Sequence, residues 1–247
     1  MTEADWIRPD FGQPRAVGVL ATTRAGGVSG GPWASLNLGT ACGDAPADVT
    51  ENRARLSADL PAEPCWLRQV HGTRLIHLDD WTPGIEADAA WTDRRDQVCV
   101  ILSADCLPVL LADRRGTLVA AVHAGWRGLA AGILERVVEA LPTAPADLLA
   151  WIGPAIGPAH YEVDARVRDA MLDLSPALEA CFQPLREGHW LADLPAIAQQ
   201  RLRSVGIVEP VDAKLCTASD PARFFSYRRD GGQTGRQASL IWIQRDV

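Results

Sequence analysis

Two apolar runs in the middle of the chain, each closing on a residue able to bind a metal, constrain the fold more than any other stretch. Gln97–Leu102 leads into Ser103-Ala104-Asp105-Cys106, and Leu118–Val122 delivers His123-Ala124-Gly125-Trp126-Arg127-Gly128. Between them Leu107–Asp113 is apolar and Arg114-Arg115-Gly116-Thr117 reads as a hairpin turn, so the segment folds as strands laid back on one another. That arrangement brings Cys106 and His123 to the same end of a sheet. His71, in Gln69-Val70-His71-Gly72, also follows an apolar run that Gly closes. One thiol and two imidazoles are the three protein ligands that a catalytic zinc takes while keeping its fourth position open. Taken singly, Cys106 also reads as a small buried hydrophobe and each histidine as a hydrogen-bonded core residue. Their shared placement at strand-to-loop junctions favours ligands.

A chain of 247 residues with 47% hydrophobic composition buries a large core, and no stretch reads as a linker, which points to a single domain over 1–247. The net charge of −7 argues against nucleic acid or an anionic membrane as the main partner, because both reward clustered Lys and Arg. A small ligand is expected instead, with Arg127 or Arg228-Arg229 as local points for a phosphate. The first residues carry Glu3, Asp5, Arg8, Pro9 and Asp10 where a secretory signal needs an unbroken apolar core. No run of about 18 apolar residues exists either. The six cysteines are scattered without paired spacing or a CxxC, so reduced thiols and a cytoplasmic location are expected. The pattern sets no oligomeric state.

Along the chain, Val17–Thr22 reads as a strand, followed by the Gly-dense loop Thr23–Gly31, most simply a turn. Ser35-Leu36-Asn37-Leu38-Gly39 reads as a short extended piece and Asp48–Leu60 as a helix stopped by Pro61. Cys65–Val70 is the expected strand before His71, with Leu75–Leu78 as its hairpin partner. His77 is expected to be structural, and Asp88 to face the site or cap a turn, the turn being favoured. Leu129, Ile133, Leu134, Val137, Val138 and Leu141 recur at helical spacing, so one helix is expected from the Trp126-Arg127-Gly128 turn to Pro142, with its N-terminal N–H groups and Arg127 suited to an anion. Leu148–Ile152, Val211–Leu215 and Ala238–Ile243 read as strands, and helices are marked by Val163, Val167, Met171 and Leu174 and by Leu194, Ile197, Leu202 and Val205. Strands in hairpins with inserted helices argue for an α+β domain with mixed sheets. No GxGxxG or P-loop is present.

Arg24 with Gly26-Gly27-Val28-Ser29, Ser35-Leu36-Asn37-Leu38-Gly39, Gln69-Val70-His71-Gly72, Ala104-Asp105-Cys106, His123-Ala124-Gly125-Trp126-Arg127-Gly128, Ile152-Gly153-Pro154-Ala155-Ile156-Gly157-Pro158 and Gly235-Arg236-Gln237 together resemble a known family. It is the one once called multicopper polyphenol oxidase or laccase-domain proteins, whose members are now described as purine nucleoside phosphorylases. They are also described as adenosine deaminases and methylthioadenosine phosphorylases, and some are named peptidoglycan editing factors. The resemblance runs from about Val17 to the C-terminus. It implies a layered α/β/β/α fold with mixed sheets, like that of cysteine-hydrolase-like toxin domains. It also implies His71, Cys106 and His123 as metal ligands, and purine nucleosides and phosphate as substrates. Family members often carry Cys in the Gly-Pro turn. Here Ala155, Ala159 and His160 stand there, so that turn supplies no nucleophile.

A multicopper oxidase needs on the order of ten histidines for its type 1 site and trinuclear cluster. This chain has five, which suits at most one adventitious copper. A second alternative drops the metal and makes Cys106 a thiolate nucleophile with His123 or His71 as base, the arrangement of a Cys–His hydrolase acting on a peptidoglycan precursor. A metal-stabilised binding module is a third. In the phosphorylase and deaminase reading, zinc polarises a ligand atom and activates water. Arg24 and Arg127 then hold phosphate or developing charge, Asn37 lies with Arg24 at the substrate, and Asp105 carries a proton. Asp105 and Cys106 share a site only if the strand has ended before them, since adjacent strand residues face opposite ways.

Overall fold

The computed structural model describes residues 6–244, so Glu3 and Asp5 lie outside the described residues. In chain order the elements are β1 (Val17–Ala21), α1 (Pro46–Ser57), β2 (Pro64–Cys65), β3 (Leu75–His77), β4 (Ala89–Thr92), β5 (Val98–Ser103), β6 (Leu107–Asp113) and β7 (Val119–Ala124). They continue with α2 (Trp126–Ala130), α3 (Ile133–Ala140), β8 (Leu148–Ile152), β9 (Glu162–Asp164) and α4 (Ala165–Leu174). Last come β10 (Phe182–Arg186), β11 (His189–Ala192), α5 (Leu194–Ser204), β12 (Val211–Asp212) and β13 (Gln237–Ile243).

Every residue of β6 and β7 is buried, as their unbroken apolar runs require of central strands with both faces covered. The turn between them is fixed by the Asp113 carboxylate, which accepts from the N–H of Thr117 at 2.6 Å, the N–H of Leu118 at 2.9 Å and the Thr117 hydroxyl at 2.8 Å. These strands are the centre of a six-stranded mixed sheet in the order β12-β8-β6-β7-β4-β3. A four-stranded sheet, β1-β13-β5-β2, faces it, and a small antiparallel sheet, β10-β11-β9, lies apart.

Alternation along the strands sorts the core into layers. Leu107, Val109 and Leu111 of β6 pack with Val137 of α3, Met171 of α4 and Ile197 of α5. Leu110 and Ala112 turn the other way and meet Cys99 and Ile101 of β5 and Ile241 of β13, between the two sheets. Val98 and Val100 of β5 reach the far face, where Leu56 of α1 covers them. The result is an α+β protein with helix, sheet, sheet and helix in sequence, as expected.

Local expectations fail where pairing is not repetitive. Residues 66–70 do not form a strand: only Pro64 and Cys65 pair, parallel, with β5. The Gln69 side chain takes over by donating to Leu102 O and accepting from Leu102 N, both at 2.8 Å. Nor is Leu75–His77 its hairpin partner, because β3 runs parallel to β4 in the other sheet. The helix expected from the Trp126 turn to Pro142 is broken by Gly132 at φ 77, a left-handed value that Gly adopts at little cost, into α2 and α3. Residues 35 and 36 are turn and 37–39 pair in no strand, and the strand expected at Val211–Leu215 pairs only at Val211 and Asp212. Among the described residues no helix is long and apolar enough to cross a membrane.

Candidate metal centre and cavity

The register of β6 against β7 pairs Pro108 with His123, so Cys106, two residues before Pro108, lies at the same sheet end as His123. His123 shares its strand face with Ala121 and Val119, which places it in the layer between the two sheets. β5 has ended at Ser103, and Asp105 stands at φ 91, so the chain turns before Cys106 and both residues reach the site. His71 joins them from the loop after β2 at φ 59, a left-handed conformation uncommon for any residue but Gly. One ligand atom from each of His71, Cys106 and His123 lies within 4.8 Å of the other two. Cys106 Sγ is 3.8 Å from His71 Nε2, and the imidazoles meet edge to face with centroids 4.8 Å apart. Gly125 permits this approach: a Cβ there would lie 3.0 Å from both Cys106 Sγ and His71 Cδ2.

Asp88 organises the cluster. It is 0% exposed, and its Oδ1 accepts from His71 N at 2.9 Å and from His123 Nδ1 at 2.8 Å. Its Oδ2 accepts from Gly72 N at 2.7 Å and Val70 N at 3.2 Å. The expected turn cap is therefore real, but the same carboxylate also faces the site. Burial pushes the Asp88 carboxyl up, yet the His123 bond and charge and the N–H groups of Gly72 and Val70 outweigh it and hold it below the ordinary carboxylate range. An ionised Asp88 takes its hydrogen bond from Nδ1–H, so that once the Nε2 proton is displaced the lone pair of His123 faces the cluster, the orienting role that carboxylates have behind metal-binding histidines. Burial acts against charge at Cys106 and His123 as well. Their mutual attraction wins, holding the thiol below and the imidazole above their usual values, so the pair rests as thiolate and imidazolium.

The donor set fits a metal: one soft thiolate and two imidazoles, convergent, one of them backed by a carboxylate, with His71 exposed and Cys106 half-buried. The other three histidines lie elsewhere. His77, for instance, pairs with Asp79 and Asp93 and packs on Trp91, as expected of a structural residue.

The cluster opens into a cavity of about 740 Å³ with aromatic faces from Trp66, Trp126, Tyr161 and Tyr227 and with Arg53, Arg68, Arg127, Arg228 and Arg236 in its walls. Of the remaining candidates, Asp105 and Arg127 line it. Asp105 has both oxygens engaged, by the Thr217 hydroxyl at 2.5 Å and Arg228 N at 2.6 Å. Arg24 and Asn37 do not line it. Arg24 donates to the carbonyls of Ala34 and Pro221 and lies over the Phe225 ring. Asn37 is buried, bonding Gly39 at both its N–H and its carbonyl, Asp44, and Arg236 N, which shapes the wall from behind. Tyr161, Trp66 and Arg53 escaped the sequence reading because each comes from a distant stretch and none belongs to a local motif.

The family described as multi-copper polyphenol oxidoreductase laccase matches residues 18–244. The chain belongs to this family. Among curated relatives it is 46% identical over 240 residues to a purine nucleoside phosphorylase of Pseudomonas aeruginosa, covering 97% of this chain and 98% of that one. It is also 46% identical to the purine nucleoside phosphorylase YfiH of Escherichia coli (strain K12), covering 96% and 98%. A crystal structure of a Neisseria meningitidis protein superposes with a TM-score of 0.93 at 41% identity, over 98% of this chain and all of that one. YlmD from Geobacillus stearothermophilus gives 0.90 at 32%, over 99% and 98%.

Proposed function

We propose that this laccase-domain protein, acting as one domain over 1–247, is a zinc-dependent purine nucleoside phosphorylase. We extend the proposal to adenosine deamination and methylthioadenosine phosphorolysis in the same cavity. The observation that carries it is the conjunction, in one cavity, of a three-ligand metal cluster, aromatic faces suited to a purine and arginines suited to phosphate. The names of the close relatives agree with it. His71, Cys106 and His123 would hold zinc, which supplies a Lewis acid when bound. Copper at this N/S site is the competitor that ordinary affinity ordering favours.

The chain's own groups bind and orient. Arg127 lies over the Trp126 ring and makes no ion pair or side-chain hydrogen bond among the described residues, so its donors are available to phosphate. Asp105, holding Arg228 by its N–H, acts as a positioning residue, and the proton-carrier role first assigned to it is less suited to a carboxylate with both oxygens occupied. Arg24 and Asn37 support the walls from outside the cavity. The proposal is tested by incubating adenosine and inosine with the zinc-loaded protein with and without phosphate. Ribose 1-phosphate and ammonia are followed separately. Base release that requires phosphate is expected, and its absence with every purine nucleoside refutes phosphorolysis. Arg127→Ala should depress phosphorolysis by roughly 30- to 1000-fold while deamination falls less.

A second reading has one observation in its favour. Asp88, His123 and Cys106 form a carboxylate, imidazole and thiolate chain like that of Cys–His hydrolases, suited to acyl transfer on a peptidoglycan precursor. Metal content separates the readings, since a metal-held thiolate is not a free nucleophile.

A further inference from the structure

Tyr161 is only 8% exposed, and its hydroxyl has no hydrogen-bond partner among the described residues. The oxygen is not among the buried side-chain atoms left without a partner, so it reaches the cavity, where a ligand can supply the partner that the chain does not. Here the ring is packed into the helix-side core, while the residue also lines the cavity with its phenol in the electrostatic reach of Cys106, Asp105, Arg127 and Arg228. The Arg228 guanidinium lies 5.1 Å over the ring, tethered by Nη1 to Glu162 O at 2.7 Å, with its other nitrogens unbonded. Arg127 offers a second guanidinium without a protein acceptor. Three sets of unmatched donors thus converge beside the metal ligands.

We propose that the Tyr161 hydroxyl and the Arg127 and Arg228 guanidiniums form an oxyanion subsite at the metal end of the cavity. The phenol serves as donor: burial and the nearby Cys106 thiolate both oppose its ionisation, so it keeps its proton at any working pH. A tetrahedral dianion suits this set better than a carboxylate, because it presents acceptors to three separate directions at once. The identity of the anion as phosphate rests on the phosphorolysis reading, whereas the subsite rests on the donors alone.

The test is titration of full-length, zinc-loaded protein with inorganic phosphate, by calorimetry or phosphorus NMR. Tyr161→Phe keeps the ring in its packing and removes only the hydroxyl, so its melting temperature should match the wild type. Its phosphate affinity should fall roughly 10- to 100-fold, the weight of one hydrogen bond to a charged group. Arg127→Gln should weaken phosphate at least as much. Unchanged affinity in Tyr161→Phe, or a wild type that binds no phosphate, overturns the subsite. Tyr161-dependent phosphate binding without base release keeps the subsite and refutes phosphorolysis. Phosphate-dependent base release with unaltered phosphate affinity in Tyr161→Phe does the reverse.

Discussion

Replacing Asp88 by Asn tests whether one carboxylate sets both histidines. The side chain keeps its volume, so nothing is lost in packing, but one acceptor oxygen becomes a donor. If the amide oxygen stands at the Oδ1 position, the NH₂ confronts the N–H groups of Val70 and Gly72, donor against donor. With the amide flipped, the NH₂ faces His71 N–H and Nδ1 of His123. The imidazole then has to place its proton on Nε2, where a metal needs a lone pair. Each orientation strands part-buried donors or blocks a ligand, at about 2–4 kcal/mol in all, below the full 1–3 kcal/mol for each of two groups because Val70 stands partly in solvent. For a domain of this size that is a fall in melting temperature of about 5–15 °C. Zinc affinity, by chelator competition, should fall about 10- to 100-fold, as for other partners behind metal-binding histidines. Wild-type zinc affinity in Asp88→Asn would refute the reasoning. The pH dependence gives an independent handle on the metal-free protein. The folded carboxyl lies below its unfolded value of about 4, so its contribution is complete above that pH and is lost only as pH falls through the lower folded value. The stability gap between wild type and variant should close as pH falls below about 4, and it should also narrow as pH rises toward about 9, where His123, held up in part by the Asp88 bond and charge, gives up its proton.

Replacing His71, Cys106 or His123 by Ala should abolish stoichiometric zinc in protein purified without added metal, and full zinc content in Cys106→Ala would rule out the three-ligand site. In chelator-treated protein, alkylation followed by mass spectrometry should find Cys106 labelled at neutral pH, where its thiol is held below its usual value, and protected again by zinc. Cys99 and Cys181, buried and pushed up, should react slowly in both states. Copper-loaded protein should fail to couple phenol oxidation to four-electron reduction of oxygen, because five histidines cannot build a multicopper apparatus.

The elements legible in the sequence are those whose burial is repetitive. β6 begins and ends where its apolar run does, because a central strand covered on both faces permits no polar interruption. The hairpin partner assigned to residues 65–70 failed because a side chain, Gln69, supplies the pairing that a strand backbone would otherwise make, and such a substitution leaves no period to read. The sheet of β9, β10 and β11 was invisible for a related reason: β10 holds Pro184 and is mostly exposed, so neither composition nor alternation marks it.

The site divides along the same line. Cys106 and His123 could be placed together from the sequence because a tight hairpin converts spacing into proximity. Asp88 could be given only as facing the site or capping a turn, since a carboxylate before a short strand looks alike whether it caps a turn or backs an imidazole. Here it does both, and each use depends on the other: the N–H groups of residues 70–72 converge on Oδ1 and Oδ2 only because β4 lies against β7, and that pairing also brings Asp88 beside His123. Arg24 failed in the opposite direction. A motif arginine next to a Gly-dense loop suggests a phosphate, but its guanidinium meets two backbone carbonyls and an aromatic face that come from sequence positions far apart. Which arginines keep unbonded donors, as Arg127 does and Arg24 does not, is a property of the folded chain alone.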